Sequence, residues 1–186
     1  MDVANPPALV AQETPAWCFA AAEVMVRSYR HLEARSQYAI ARRITESLAA
    51  LDPDVKERWD LVVALDASAG RPEDGGANRN SDVVQLVRAQ WNAFDNAATD
   101  GRFVQDLTPE LVQGEIDHNR IFVVGTTIHY YVVYGYSDNG STLRIRDPWP
   151  PGVGGTRISI TLAEFEKIPN HVVIFFDPLA SPIQLA

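Results

Sequence analysis

Four side chains in this sequence have the chemistry for acyl transfer: Cys18, His129, Asp147 and Gln12. Cys18 is the single cysteine among 186 residues. Its sulfur therefore has no internal disulfide partner, and the fold needs no oxidising compartment. Thr14-Pro15 lies just upstream; threonine is a good helix N-cap, and proline suits the first helical position, where its missing N–H costs nothing. The alanine-rich run that follows predicts a helix from Pro15 to about Leu32, with Cys18 in its first turn. There the helix dipole and the unpaired backbone N–H groups stabilise a thiolate, the nucleophilic form of the side chain.

A thiolate nucleophile requires a base, and the chain offers His31, His118, His129 and His171. His31 and His118 fall at helix ends, where histidine meets terminal carbonyls. His171 opens the last strand and reads as structural, with a secondary claim to be the base. His129 begins the run His129-Tyr130-Tyr131-Val132-Val133-Tyr134-Gly135-Tyr136 and shares a strand face with Tyr131, Val133 and Gly135. The next strand carries Leu143, Ile145 and Asp147 on one face, with Arg144 and Arg146 on the other. A turn at Asp138-Asn139-Gly140 then brings His129 and Asp147 to the same end of an antiparallel pair. The carboxylate would orient the imidazole, and the imidazole would hold the sulfur as an ion pair. Gln12, six residues before Cys18, can aim its amide at the same spot.

Each residue also has a plainer reading. A lone cysteine on an apolar helix is commonly inert core packing. Gln12 taken alone is a solvated loop residue, and an aspartate before proline is common in turns. Trp17 reads as packing between lobes or lining a cleft. Trp149 either shields the Cys18–His129 pair or packs at the surface.

The elements that must place these groups change character along the chain. Residues 1–13 read as an extended lead-in stiffened by Pro6-Pro7. A second helix spans Ser36 to Leu51, with Ile40, Ile44, Leu48 and Leu51 at helical spacing. Asp52-Pro53-Asp54 starts a third, Gly70–Asn80 is a loop, and Ser81-Asp82 caps a helix with a Val83–Phe94 core stripe. Thr108-Pro109-Glu110 opens a short helix to about Asn119. Five β-branched and aromatic runs follow as strands: 121–125, 129–136, 142–146, 156–161 and 171–176, with a short helix around Leu162–Lys167. A helical front half and an antiparallel back half make an α+β fold, divided at about 1–105 and 106–186 within a single domain.

The Gln-x5-Cys spacing, the aromatic beside Cys18, the alanine-rich helix and the His-x3-Val-x-Gly-Tyr strand resemble papain-like cysteine proteases. Arg146-Asp147-Pro148-Trp149, with Leu162-Ala163-Glu164-Phe165 after it, is most similar to the compact bacterial branch. That branch holds effector proteases delivered into host plants and peptidases that trim bacteriocin leaders. The resemblance covers residues 12–30 and 108–176. It implies a helical lobe carrying Cys18, a β lobe carrying His129 and Asp147, and a cleft between them. It further implies a polypeptide substrate, a host-protein target or cognate inhibitor, and Gln12 with the Cys18 N–H as the oxyanion hole. Two positions depart from the pattern: Phe19 follows the nucleophile where many relatives have Trp, and Asp147 stands where plant and animal relatives have Asn. The same machinery serves an amidase, a deamidase or a transglutaminase-like acyl transferase. A catalytically silent binding module would keep the fold while burying Cys18 away from His129.

Composition narrows the partners. Apolar content of 46% and charged content of 22% suit a soluble globular protein. A net charge of −8 argues against a nucleic-acid partner. No Cys/His cluster has metal-ligand spacing and no glycine-rich phosphate loop is present, so neither metal nor nucleotide is expected. No stretch has the apolar length to insert in a membrane. Met1–Pro7 lacks a secretory-signal pattern, which predicts a cytoplasmic protein or one secreted without a cleaved signal.

Overall fold

In the computed structural model, residues 1–49, 94–126 and 129–178 are described. The expected helix from Asp52, the Gly70–Asn80 loop and the start of the helix from Ser81 lie outside them. Helix α1 spans Cys18–Tyr29 and is buried on nearly every side: Phe19, Ala20, Ala21, Ala22, Met25 and Val26 are closed to solvent. A helix buried on most of its sides belongs inside a core, and α1 lies against the sheet, chiefly against its central strand β3; its buried charges, Glu23 and Arg27, pair with each other.

The helix begins three residues later than Thr14-Pro15 suggests. Trp17 is its N-cap and makes no side-chain bond to the first turn. Residues 14–17 form a separate turn, closed by Trp17 N–H donating to the Thr14 carbonyl at 3.2 Å. The helix ends at Tyr29, before the expected Leu32. His31 adopts a left-handed φ of 55°, Leu32 N–H donates to Arg27 O and His31 N–H to Ser28 O, which together make a Schellman stop. Helix α2, Gln37–Ala49, follows; Ser36 Oγ accepts from Ala39 N–H at its start.

Six antiparallel strands form one sheet: β1 Gly101–Val104, β2 Phe122–Gly125, β3 Tyr130–Ser137, β4 Thr142–Arg146, β5 Ser159–Thr161 and β6 Val172–Phe176. Their spatial order is β1-β6-β2-β3-β4-β5. Among the described residues, three short α-helices accompany them, α3 Asn96–Thr99, α4 Pro109–Asp117 and α5 Leu162–Phe165. Helix α4 starts as its sequence indicates, with the Thr108 hydroxyl accepting from Leu111 N–H. Five strands match the five expected runs: 142–146 with the same bounds, 129–136 displaced by one residue, and the other three starting one to three residues later. The sixth, β1, was not anticipated; it is an edge strand whose Phe103 is 66% exposed.

The β3–β4 hairpin carries the candidate chemistry at its open end. Val132 pairs with Arg146 and Val133 with Ile145; the register then shifts between Val133 and Gly135, so the simple alternation expected along β3 breaks there. Asp2 bridges to Gly135 from the lead-in, and Val3 N–H donates to Tyr134 O at 2.9 Å. A Cβ on residue 135 would collide with the Asp2 carboxylate, so glycine is needed for this approach. Arg144 pairs with Asp2 at 2.9 Å, while Arg146 donates to Pro7 O at 3.0 Å and lies over the Tyr134 ring. The lead-in is thus strapped to the face of the hairpin opposite Leu143, Ile145 and Asp147, which are buried.

Candidate active site

Cys18 is the first residue of α1. Its backbone N–H lies at the N-terminus of the helix, where the dipole is positive. The side chain is 1% exposed. His129 lies in the β2–β3 connection, one residue before β3, where its N–H donates to Thr126 Oγ1 at 3.0 Å and its carbonyl accepts from Thr126 N–H at 2.7 Å. These bonds fix the backbone from which the imidazole projects. The ring packs edge-on against Tyr131, with centroids 4.6 Å apart.

The structure brings Cys18, His129 and Asp147 together. His129 Nε2 bonds to Asp147 Oδ1 at 2.7 Å, and the imidazole also makes a side-chain hydrogen bond with Cys18. One ring nitrogen is committed to the carboxylate, which leaves the other for the sulfur. Burial by itself would pull the imidazole pKa down. The charge of Cys18, followed by the hydrogen bonds from Asp147 and Cys18, outweighs burial and pushes it up to about 9.

Asp147 is 3% exposed and does more than orient the ring. Oδ1 also accepts from Trp149 N–H at 2.9 Å, and Oδ2 accepts from Arg157 N–H at 3.0 Å. The loop leaving β4 is therefore wound around this carboxylate. Burial favours the neutral acid, but the bonds from His129 and the two backbone donors hold Asp147 below the usual carboxylate range. Half-buried Trp149 contributes its backbone to this cage.

Gln12 is fully buried, which corrects its plain reading as a solvated loop residue. Its amide Nε2 donates to Thr14 O at 2.7 Å and Pro15 O at 2.8 Å, carbonyls four and three residues before Cys18. Both amide hydrogens are held there, and Oε1 is buried without a hydrogen-bond partner. The side chain stands at the mouth of α1 but is turned toward the protein backbone. Trp17 is 2% exposed and meets Tyr38 of α2 edge-on at 6.3 Å.

Two of the other three histidines have local partners for their side chains. His118 Nδ1 bonds to Gly114 O and His171 Nδ1 to Ile168 O; His31 is the exposed left-handed residue ending α1. Among the described residues, no group of three or more His, Cys, Asp or Glu side chains is placed to hold a metal ion. No described helix is long and apolar enough to cross a membrane.

A model of the Peptidase_C39-like family matches residues 7–173, a span containing all four candidate residues. The chain belongs to this family of cysteine peptidases. No curated protein matches it. The Peptidase_C39-like match also bridges the stretch between residues 31 and 107, for which the resemblance to papain-like proteases offered no motif.

Two contributors to this candidate site were not found in the sequence. Tyr130, beside His129, is 3% exposed and stacks on Phe94 at 6.3 Å. It pairs with Gly125, where a Cβ would crowd its ring. Burial and then the charge of Cys18 push its phenol up, so the hydroxyl stays protonated in the electrostatic range of the sulfur. The second contributor is the pair of backbone donors at Trp149 and Arg157. An N–H has no side-chain signature, and only the folded loop reveals where it points.

Proposed function

We propose that the chain hydrolyses a peptide or isopeptide bond through Cys18, His129 and Asp147. The observation that carries this reading is the continuous hydrogen-bonded line from the Cys18 thiol through the His129 ring to Asp147. Such a line is the nucleophile, base and orienting group of covalent acyl transfer.

The Cys18 thiolate, its proton already carried by His129, attacks the carbonyl carbon, forming a C–S bond as the carbonyl π electrons move onto oxygen. The Cys18 N–H lies at the start of α1, where helix geometry favours a developing negative charge. Gln12 supplies the second donor if one amide hydrogen turns from a Thr14 or Pro15 carbonyl to the oxyanion. The imidazolium protonates the leaving amine as the C–N bond breaks, giving a thioester. Water then loses a proton to His129 and attacks that thioester, releasing the acid as the C–S bond breaks and restoring the thiolate–imidazolium pair. Asp147 keeps the ring oriented throughout. The Arg146-Asp147-Pro148-Trp149 exit supports placing the chain in the compact bacterial branch, with a host protein or a leader peptide as substrate.

The test is incubation with a quenched-fluorescent peptide library, followed by mass spectrometry of the products. Cleaved peptides from the wild type and none from Cys18→Ala are expected. An equal yield from the variant would sink the proposal. Deamidated or crosslinked peptides in place of cleaved ones would move the reading to acyl transfer on the same residues.

A further inference from the structure

The backbone on both sides of Gln12 is gripped by a side chain that the mechanism above does not use. Gln37, at the first position of α2, is 4% exposed. Its Nε2 donates to Ala11 O at 2.8 Å, and its Oε1 accepts from Glu13 N–H at 3.0 Å. One amide thus pairs with residues 11 and 13 as a neighbouring β-strand would. Successive peptide groups of an extended segment point to opposite sides, so the polar groups of Gln12 itself face the other way. There Gln12 N–H donates to Pro148 O at 3.0 Å, and Gln12 O accepts from Gly152 N–H at 2.9 Å. Gln12 is clasped between the loop that follows Asp147 and the side chain of Gln37.

We propose that Gln37 is a positioning residue that sets the location of Gln12, and through it the oxyanion hole beside Cys18. This rests on the peptidase reading above and on Gln12 as an oxyanion donor. Donors to an oxyanion work only within a few tenths of an ångström of the right place. The Gln12 side chain is held by two carbonyls in its own turn, but that turn needs an outside reference. The Asp147 loop gives one on one side and Gln37 gives one on the other. Because Gln37 also begins α2, the clamp ties the oxyanion segment to the helix whose Tyr38 meets Trp17.

The test compares Gln37→Met, which keeps length and loses both bonds, with Gln37→Glu, which keeps the acceptor and loses the donor. Each is made in the wild type and in Gln12→Ala. The best-cleaved member of the peptide library reports kcat and KM, iodoacetamide alkylation of Cys18 reports the Cys18–His129 pair, and thermal melting reports folding. A fall in kcat of about tenfold to a hundredfold is expected for a displaced catalytic group, with KM and the alkylation rate little changed. In Gln12→Ala the same substitutions should cause no further fall, because residues acting through one another are not additive. An equal fall in both backgrounds, or a loss of alkylation matching the loss of kcat, would make Gln37 a general support of the fold and overturn the inference. Should Gln37→Met fail to fold, Gln37→Glu carries the comparison. Cleavage that needs Cys18 but ignores Gln37 would remove this inference and leave the peptidase reading intact. A wild type that cleaves no peptide would remove both.

Discussion

His129 and Asp147 are eighteen residues apart in sequence, and a 2.7 Å hydrogen bond joins them across the open end of one β-hairpin. The same carboxylate accepts from Trp149 N–H and Arg157 N–H, so orienting the imidazole and folding the loop after β4 are one event.

This sharing separates aspartate from asparagine at position 147. An asparagine would turn an NH2 group toward a donor, either Arg157 N–H or the His129 and Trp149 pair. Asp147→Asn should therefore lose about 1–3 kcal/mol of stability, the usual cost of an unsatisfied buried donor. Removing the carboxylate charge also lowers the imidazole pKa, so the alkaline limb of kcat/KM should move to lower pH. A pH–rate profile beside a denaturant titration checks both, and a limb that stays in place would separate Asp147 from the charge state of His129.

The raised pKa of His129 sets a direction for pH dependence. Its folded value, about 9, lies above the ordinary 6.5. The stabilisation it brings is complete below about pH 6.5 and is lost as pH rises through about 9. Asp147, held below its ordinary value, acts in the opposite sense: its contribution is present above the ordinary carboxylate range and is lost as pH falls through its depressed value. Melting temperature should fall between pH 6.5 and 9 in the wild type and much less in His129→Gln. The alkaline limb of activity should lie near pH 9; a limb near 6.5 would contradict the assigned contacts.

Gln12→Ala should lower kcat by about 100- to 1,000-fold, the typical loss for one oxyanion donor. Alkylation of Cys18 by iodoacetamide, a reaction that makes no oxyanion, should change little. Comparable losses in both reactions would mean that Gln12 serves only to brace the Thr14 and Pro15 carbonyls.

Away from the site, Glu23 and Arg27 form an ion pair inside the core at 2.8 Å, with side chains 1% and 4% exposed. Burial raises the Glu23 pKa despite the Arg27 hydrogen bond. Arg27→Met should cost about 3–5 kcal/mol, because it strands a buried carboxylate. Urea unfolding measures this directly, and a loss below about 1 kcal/mol, the scale of an exposed pair, would show that solvent reaches Glu23.

The hairpin was legible in the sequence because its signals are local. Runs of β-branched and aromatic residues flank Asp138-Asn139-Gly140, and all three turn residues adopt positive φ, which suits Asn, Asp and Gly. Strand β1 gave no such signal: it has four residues, an exposed phenylalanine, and pairing to β6 as its main definition. The start of α1 was misplaced because Thr14-Pro15 carries the residue types of a cap and first turn. The Thr14 carbonyl is instead claimed by the Gln12 amide and Trp17 N–H. The burial of Gln12 and the reach of Gln37 were illegible for a shared reason: both depend on contacts between segments that only folding brings together.

The depth of the sulfur has a kinetic consequence. A thiol 1% open to solvent meets a reagent only when its surroundings part, so access and intrinsic reactivity become separate steps. Slim electrophiles, which need a smaller opening, should trap it faster than bulky ones of equal intrinsic reactivity, whose rate is capped by the opening step. Inhibitors ranked by end-point alone would then be sorted by girth as well as by chemistry.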